Sequence, residues 1–145
     1  MTSNKIHDLL VVGAGPVGCR VAAGVAQVGY DVVILEQKPS LNAPICCTAL
    51  VSDECFRHFD LASELIVRSF NAATVFSPAG STISVRRDRV QAHVLGRPAL
   101  DRKLYQAAVE HGASCLFGSK ETCSTVQPGI AVNFSSYKKH DRCHK

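Results

Sequence analysis

A glycine triplet most constrains what this chain can fold into. Gly13, Gly15 and Gly18 directly follow an apolar run at residues 9–12, and they precede a helical pattern and a second apolar run that ends at Glu36. Short apolar runs are typical of buried strands, and the order strand, glycine turn, helix, strand is that of a βαβ unit. Residues 8–36 are therefore predicted to begin an α/β domain with a Rossmann-like parallel sheet.

The spacing of the glycines predicts a phosphate-binding turn. Gly13 permits a tight turn, Gly15 leaves room for a pyrophosphate, and Gly18 allows the helix to pack closely on the strand. Pro16 suits the first helical turn, where a backbone N–H has no acceptor inside the helix. The free amides at the start of the helix and the helix dipole favour an anion at the same place.

Glu36 indicates which dinucleotide the turn would bind. It stands eighteen residues after Gly18, close to the separation at which an acidic side chain accepts hydrogen bonds from a ribose 2′-hydroxyl. A carboxylate there would repel a 2′-phosphate, which favours FAD or NAD over NADP. A structural βαβ unit without a ligand is the alternative.

Helical spacing predicts which side chains of the two longer helices are buried. In the first helix, which Gly29 ends, the residues predicted to face the sheet are Val17, Val21, Val25 and Val28. A later helix at residues 98–111 opens with Pro98 and stops at Gly112. Its predicted apolar face consists of Leu100, Leu104, Ala107 and Ala108.

The other segments predict smaller elements around the βαβ unit. A short helix at residues 52–59 has Ser52 as its N-cap. The remaining predicted elements are an antiparallel insertion at residues 72–95, a third strand of the main sheet at 114–117, a hairpin at 121–134 and an irregular tail at 135–145. A right-handed crossover is expected to place the third strand beside the first strand, opposite the second.

Composition and charge argue against several classes of protein. The 145 residues carry a net charge of +4, and their small basic clusters lack the aromatic interleaving of a nucleic-acid surface. Seven cysteines without a C-x-x-C pair favour reduced thiols, so neither a disulfide framework nor a metal site is predicted. Charged residues interrupt the first apolar stretch, which excludes a membrane span there. The N-terminus lacks the pattern of a secretory signal, so a cytoplasmic location is expected.

Three segments of the chain carry a family resemblance. They are VVGAGPVGCRVAAGVAQVGYDVVILEQKP, APICCTAL and LGRPALDRKLYQAAVEHGAS. Together they resemble the N-terminal region of FAD-dependent oxidoreductases of the geranylgeranyl reductase family, relatives of the flavin hydroxylases. The resemblance covers residues 6–134 and implies that residues 1–134 are the N-terminal portion of an FAD-binding domain. It also implies FAD as the cofactor.

The resemblance implies roles for particular residues. The predicted cofactor-binding residues are Gly13, Gly15, Pro16, Gly18, Glu36, Gln37 and Arg97. Arg97 would reach the phosphate side of FAD, and a surface charge at the start of the helix is the alternative. Cys47, with its neighbour Cys46, would lie toward the flavin and the substrate, and buried packing is the alternative. No catalytic acid, base or nucleophile is assigned.

Two departures from the family pattern limit what the chain is expected to do. Family members are much longer, with a later Gly-Asp segment that binds FAD and a sheet domain that forms the substrate pocket. The end of the chain, SSYKKHDRCHK, also departs from the family pattern, as truncation or a shifted reading frame would produce. The expectation is an incomplete domain that catalyses nothing alone.

Completed by its missing part, the chain is expected to be a reductase or monooxygenase, and reduction of isoprenoid or lipid double bonds is the activity that the resemblance implies. The expected partner is a small-molecule or lipid-like substrate, and not a nucleic acid. A peripheral membrane contact and the oligomeric state are left open. The alternatives are a fragment of an NAD-binding oxidoreductase and a non-catalytic βαβ module.

Overall fold

The computed structural model describes residues 6–124 and 132–136, with side chains up to Lys120. In chain order its elements are β1 (Leu9–Val12), α1 (Pro16–Gln27), β2 (Val32–Glu36), β3 (Leu50–Ser52), α2 (Asp53–His58), β4 (Ile66–Phe70), β5 (Ala72–Phe76), β6 (Thr82–Arg86), β7 (Ala92–Leu95), α3 (Arg97–Glu110), β8 (Ser114–Phe117), β9 (Ser119–Ser124) and β10 (Val132–Ser136). The chain divides into two compact units. The first comprises the described residues up to Ala43 and from Asp101 onward, and the second comprises Pro44–Leu100.

A three-stranded parallel sheet forms the centre of the first unit. Its strand order is β1-β2-β8, with Val11 opposite Ile34 and Ile34 opposite Cys115. The four apolar residues of β2 are at most 5% exposed, as expected for a parallel strand with neighbours on both sides. The predicted α/β class with a Rossmann-like parallel sheet and additional antiparallel strands is confirmed.

The third strand lies on the other side of the sheet from its predicted position. β8 pairs with β2 and not with β1, so that prediction is wrong. Ala108 of α3 shares one hydrophobic core with Ala22 of α1 and with Ile34, which places both helices on the same face of the sheet. Two right-handed crossovers on one face advance in the same direction across the sheet. The strand that follows α3 therefore lies beyond β2.

The buried face of α1 also differs from the predicted one. The buried side chains are small: Cys19, Ala22, Ala23 and Ala26. The four valines lie roughly on the opposite side of the helix; Val17, Val21 and Val28 are exposed, and only Val25 is half-buried. Gly18 brings α1 so close to β1 that small side chains fill the space between helix and sheet. In α3, by contrast, the predicted face is confirmed, because Leu100 and Ala108 are buried and Leu104 and Ala107 are half-buried.

Antiparallel strands dominate the second unit. One sheet has the order β3-β7-β4, and β5 pairs with β6 in a separate two-stranded ribbon. This β structure starts at Leu50, well before residue 72, where the predicted insertion begins. The sequence IVRSF of β4 has no clean two-residue alternation, so its pairing with β7 defines it as a strand. The predicted short helix is present as α2, and the Ser52 hydroxyl caps it by accepting from the Cys55 N–H at 3.0 Å.

A chain of polar side chains connects α2 to this sheet. His93 on β7 is 6% exposed; its Nε2 lies 3.1 Å from the Asp53 carboxylate, and its Nδ1 lies 2.9 Å from the Ser69 hydroxyl. Asp53 also pairs with Arg57 one turn later. The hydrogen bonds from His93 and from Arg57, together with the positive charge of Arg57, hold the pKa of Asp53 below its usual value, with the bond to His93 contributing most. Both ring nitrogens of the buried histidine thus have partners, which removes the cost of burying them.

The predicted hairpin near the end of the chain is present as β9 and β10. Its predicted turn, QPG at residues 127–129, lies outside the described residues. Ser135 and Ser136 pair with Lys120 and Ser119, so an irregular tail starting at residue 135 is wrong for these two residues. Small polar side chains carry no strand pattern of their own, and pairing with β9 alone defines this end of β10. Residues 137–145 also lie outside the described part.

Three further properties concern the described residues only. None of their helices combines the length and the apolar character needed to cross a membrane. No three of their His, Cys, Asp or Glu side chains come together as metal ligands. Five cysteines with described side chains are free thiols: Cys19, Cys46, Cys47, Cys55 and Cys115.

Candidate functional site

The glycine turn joins β1 to α1 at the carboxyl edge of the parallel sheet. Gly13 has a φ angle of +99°, a left-handed conformation that suits glycine, and its N–H donates to the Leu35 carbonyl at 2.7 Å. A Cβ on Gly18 would lie 2.0 Å from the Gly13 carbonyl oxygen, which no side chain tolerates. The predicted roles of these two glycines, a tight turn and close helix packing, agree with this geometry.

Gly15 faces open space at the start of α1. A Cβ placed on it would meet none of the described atoms within 4 Å. Pro16 is the first helical residue, and the Cys19 N–H makes the first intrahelical bond, to the Gly15 carbonyl at 2.9 Å. Helix geometry therefore leaves the N–H groups of Val17 and Gly18 without a carbonyl inside the helix. Free amides and the positive end of the helix dipole meet at an open surface, which suits a phosphate or diphosphate.

Glu36 ends β2 next to this turn, and both of its carboxylate oxygens accept hydrogen bonds. Oε2 accepts from the Ala14 N–H and Oε1 from the Lys38 N–H, each at 2.8 Å. An ionised carboxylate has about four acceptor positions, so these two bonds leave capacity for hydroxyl donors. The side chain connects the glycine turn to the loop after β2, and it offers acceptors for a vicinal diol beside the free amides at the start of α1.

Sequence reasoning missed two residues that support the turn. Ala14, between two of the glycines, is 4% exposed and donates its N–H to Glu36. Its carbonyl accepts a hydrogen bond from the Cys19 thiol at 3.4 Å. Cys19 is fully buried, and nothing in the sequence pattern indicated this bond. Both the N–H and the carbonyl of Ala14 therefore have hydrogen-bond partners, which fix its position in the turn.

The cysteines beneath the turn are poor nucleophiles. Burial, and secondarily the negative charges of Asp101 and Glu36, raise the pKa of the Cys19 thiol to about 11. Burial and the neighbouring Cys19 raise the pKa of Cys115 to about 11 as well. Both groups are thiols at neutral pH, and they serve packing and hydrogen bonding instead of covalent chemistry.

The remaining predicted site residues occupy loops and a helix start. Gln37 is exposed in the loop after β2, and the Gly118 N–H after β8 donates to Lys38 in that loop at 2.9 Å. The others belong to the second unit. Arg97 is the first residue of α3 and is half-buried. Cys46 and Cys47 are exposed in the loop before β3. The Cys47 sulfur accepts a hydrogen bond from the Ala49 N–H at 3.4 Å. Exposure of both thiols argues against the packing alternative.

Comparison with known sequences gives a consistent set of relatives. The digeranylgeranylglycerophospholipid reductase 2 of Methanopyrus kandleri is 35% identical over 140 residues, covering 95% of this chain and 34% of the relative. The digeranylgeranylglycerophospholipid reductase of Methanoculleus marisnigri is 28% identical over 127 residues, covering 85% of this chain and 32% of the relative. The chain thus spans about a third of the length of these relatives. No family model matches the chain.

Comparison with solved structures gives the same fold. A geranylgeranyl bacteriochlorophyll reductase-like protein from Thermoplasma acidophilum superposes with a TM-score of 0.74 at 24% identity, covering 88% of this chain and 34% of that one. At this identity, the similarity establishes the fold of the shared part and leaves the activity to other evidence.

Proposed function

Because the chain belongs to the geranylgeranyl reductase family of FAD-dependent oxidoreductases, we propose that its first unit binds the adenosine diphosphate half of FAD. The free amides at the start of α1 bind the pyrophosphate, and the open space at Gly15 accommodates it. The observation that carries the proposal is the hydrogen bond between Glu36 and the Ala14 N–H. It fixes a carboxylate beside the phosphate site, where the adenosine ribose can donate its hydroxyls.

The chain's own residues supply position and electrostatics to the bound cofactor. Gly13 and Gly18 fix the turn, and Ala14 transmits its position to Glu36. FAD, when bound, supplies hydride transfer. The roles of Gln37, Arg97, Cys46 and Cys47 stay predictions from the family resemblance. With about a third of the relatives' length, the chain provides the nucleotide-binding part of the enzyme.

For the complete enzyme, we propose reduction of double bonds in an isoprenoid or lipid-like substrate. The names of the two reductases above support this substrate class. The cytoplasm is the proposed location. Catalysis by this chain alone is not expected, because the chain spans only about a third of the length of its reductase relatives.

Ligand titration tests the cofactor proposal. Isothermal calorimetry with FAD and with ADP should give binding, and FMN, which lacks the adenosine diphosphate, should give none. Flavin absorbance in the visible range distinguishes bound FAD from bound NADH. Binding of NADH without FAD would support the NAD alternative, and binding of neither would support a non-catalytic module.

A matched pair of variants tests the ribose contact. Glu36→Arg removes the acceptor and the bonds to Ala14 and Lys38, so FAD affinity should fall by at least about tenfold, as for a charge-assisted hydrogen bond lost at a ligand. Glu54→Arg makes the same charge change at an exposed position of α2 and should leave the affinity unchanged. Equal affinity of the Glu36 variant and the parent for FAD would remove the assignment.

A further inference from the structure

The peptide between Ala14 and Gly15 joins the buried interior of the first unit to the open surface at the start of α1. Ala14 is 4% exposed, whereas a Cβ on Gly15 would meet none of the described atoms within 4 Å. The Ala14 carbonyl accepts its hydrogen bond from the thiol of Cys19, which is fully buried. In a trans peptide the carbonyl and the following N–H point in opposite directions. The Gly15 N–H is therefore directed away from Cys19 and the core.

The direction of this N–H matters because the start of α1 has few donors for an anion. Pro16 has no N–H, so the first helical turn offers the N–H groups of Val17 and Gly18. Gly15 adds a third donor only while its N–H points outward. A hydrogen bond to a charged group contributes more than one between neutral groups, so a third donor is a substantial part of the affinity for a diphosphate.

The backbone of Gly15 does not enforce that direction by itself. Its φ angle is −78° and its ψ angle is 178°, an extended conformation that any residue adopts. Turning the peptide over changes mainly ψ of Ala14 and φ of Gly15, and glycine populates positive φ about as readily as negative φ. Glycine at this position leaves room for a pyrophosphate but does not fix the peptide. A hydrogen bond from elsewhere in the fold must hold it.

We propose that Cys19 is a positioning residue for the nucleotide: its thiol holds the peptide between Ala14 and Gly15 in the orientation that directs the Gly15 N–H at the pyrophosphate. The inference rests on the proposed binding of the adenosine diphosphate half of FAD at this turn. Cys19 acts through Ala14 and does not touch the ligand.

The energetics of the buried carbonyl explain why this thiol matters for affinity. Burial raises the pKa of Cys19 to about 11, so the thiol has a proton to donate at neutral pH. Without that donor, the buried Ala14 carbonyl would lack a partner at a cost in free energy, which favours the turned-over peptide. An orientation that binds the ligand but is only partly populated lowers the affinity by that fraction.

Calorimetry with ADP tests the ligand role, because ADP contains the diphosphate and no flavin. Cys19→Ala removes the donor and should weaken ADP binding about fivefold, the size of one neutral hydrogen bond. Cys19→Ser keeps a hydroxyl donor and should bind within about twofold of the parent. Cys115→Ala removes the neighbouring thiol on β8 and leaves Cys19 in place, so it should bind like the parent. Circular dichroism verifies that all three variants are folded.

The calorimetric outcomes separate this inference from the proposed function. Equal ADP affinity of Cys19→Ala and the parent would overturn the positioning role. The same loss in Cys19→Ser as in Cys19→Ala, or a comparable loss in Cys115→Ala, would overturn it in favour of packing beneath the turn. A parent that binds no ADP would instead overturn the proposed function, and the ligand role of Cys19 with it.

Amide NMR tests the peptide orientation without any ligand. In protein prepared with isotopically labelled glycine, the Gly15 amide resonance should shift or broaden in Cys19→Ala and stay near its parent position in Cys19→Ser. Gly24, inside α1, is the internal control and should change little in either variant. A Gly15 resonance that moves no further than that of Gly24 in Cys19→Ala would overturn the proposal, even if ADP binding were weakened.

Discussion

The β2 strand and the arm that β5 and β6 form have similar residues and opposite surroundings. β2 contains valine, isoleucine and leucine at no more than 5% exposure, whereas Val75, Ile83 and Val85 of the arm are 49–69% exposed. Both segments have high strand propensity. β2 has parallel neighbours on both sides and α1 on one face, and no described element covers the apolar face of the arm. The comparison shows that residue composition favours a strand, whereas the elements that pack beside and on the strand determine whether it is buried.

The largest effect is expected at the point of closest backbone approach in the first unit. Gly18→Ala places a Cβ 2.0 Å from the Gly13 carbonyl oxygen, so the turn or the helix must move. The free energy of unfolding should fall by about 4 kcal/mol or more, the range of severe steric substitutions. Urea denaturation monitored by circular dichroism measures it.

Gly24→Ala is the control for that substitution. Gly24 lies in the same helix, and a Cβ there would meet no described atom within 4 Å. Alanine in a helix interior is more favourable than glycine, so this variant should be more stable by up to about 1 kcal/mol. If both alanine variants were tolerated alike, the close packing of α1 on β1 would be refuted.

The second-largest effect is expected when isoleucine is replaced by alanine in β2, and the same replacement in the arm gives the comparison. Ile34→Ala in β2 removes a fully buried side chain and should cost about 2–5 kcal/mol. Ile83→Ala makes the same change on the arm, where isoleucine is 69% exposed, and should cost less than about 0.5 kcal/mol. Urea midpoints of the two variants give the comparison. A comparable loss at Ile83 would mean that the arm is covered in solution.

The sequence predicted the first unit better than the second unit because its signals are local. The glycine turn, the helix start at Pro16 and the acid at Glu36 each lie within one βαβ unit, where spacing translates directly into geometry. The side of β8 and the buried face of α1 depended on packing between segments far apart in sequence. Periodicity predicted the valine stripe of α1 as the buried one, whereas the close approach at Gly18 buries the opposite stripe of small side chains.

In the second unit, the decisive contacts were pairwise and long-range. Asp53, Ser69 and His93 are separated by up to 40 residues in sequence, and they meet only because β4 and β7 pair and α2 packs on β7. No motif spacing encodes such a connection. The hydrogen bond between Cys19 and Ala14 escaped prediction for a different reason: a thiol donor has no sequence signature that separates it from a small apolar side chain.

The smallest expected effect is a loss of stability at alkaline pH, and it arises from Cys19 in the first unit. The pKa of Cys19 in the folded chain is about 11, above the value of 9.0 for a free thiol. A raised pKa in the folded state means that the folded state holds the proton more tightly than the unfolded state does. The contribution of the Cys19 thiol to the free energy of unfolding is therefore complete below pH 9 and is lost as the pH rises toward 11. Between about pH 8 and about pH 10, stability should fall by about 1 kcal/mol from this group.

Cys19→Ala removes this titration, and Cys46→Ala, at an exposed thiol of the second unit, retains it. Urea unfolding at a series of pH values should show a shallower alkaline decline for Cys19→Ala than for the parent, although the substitution lowers stability at neutral pH by removing the bond to Ala14. Iodoacetamide at pH 8 should modify Cys46 much faster than Cys19, because Cys46 is exposed, whereas Cys19 is fully buried and its raised pKa disfavours the reactive thiolate. Equal rates would show that opening of the turn exposes Cys19 readily. The contrast between the buried thiol of the first unit and the exposed thiol of the second unit would then fail.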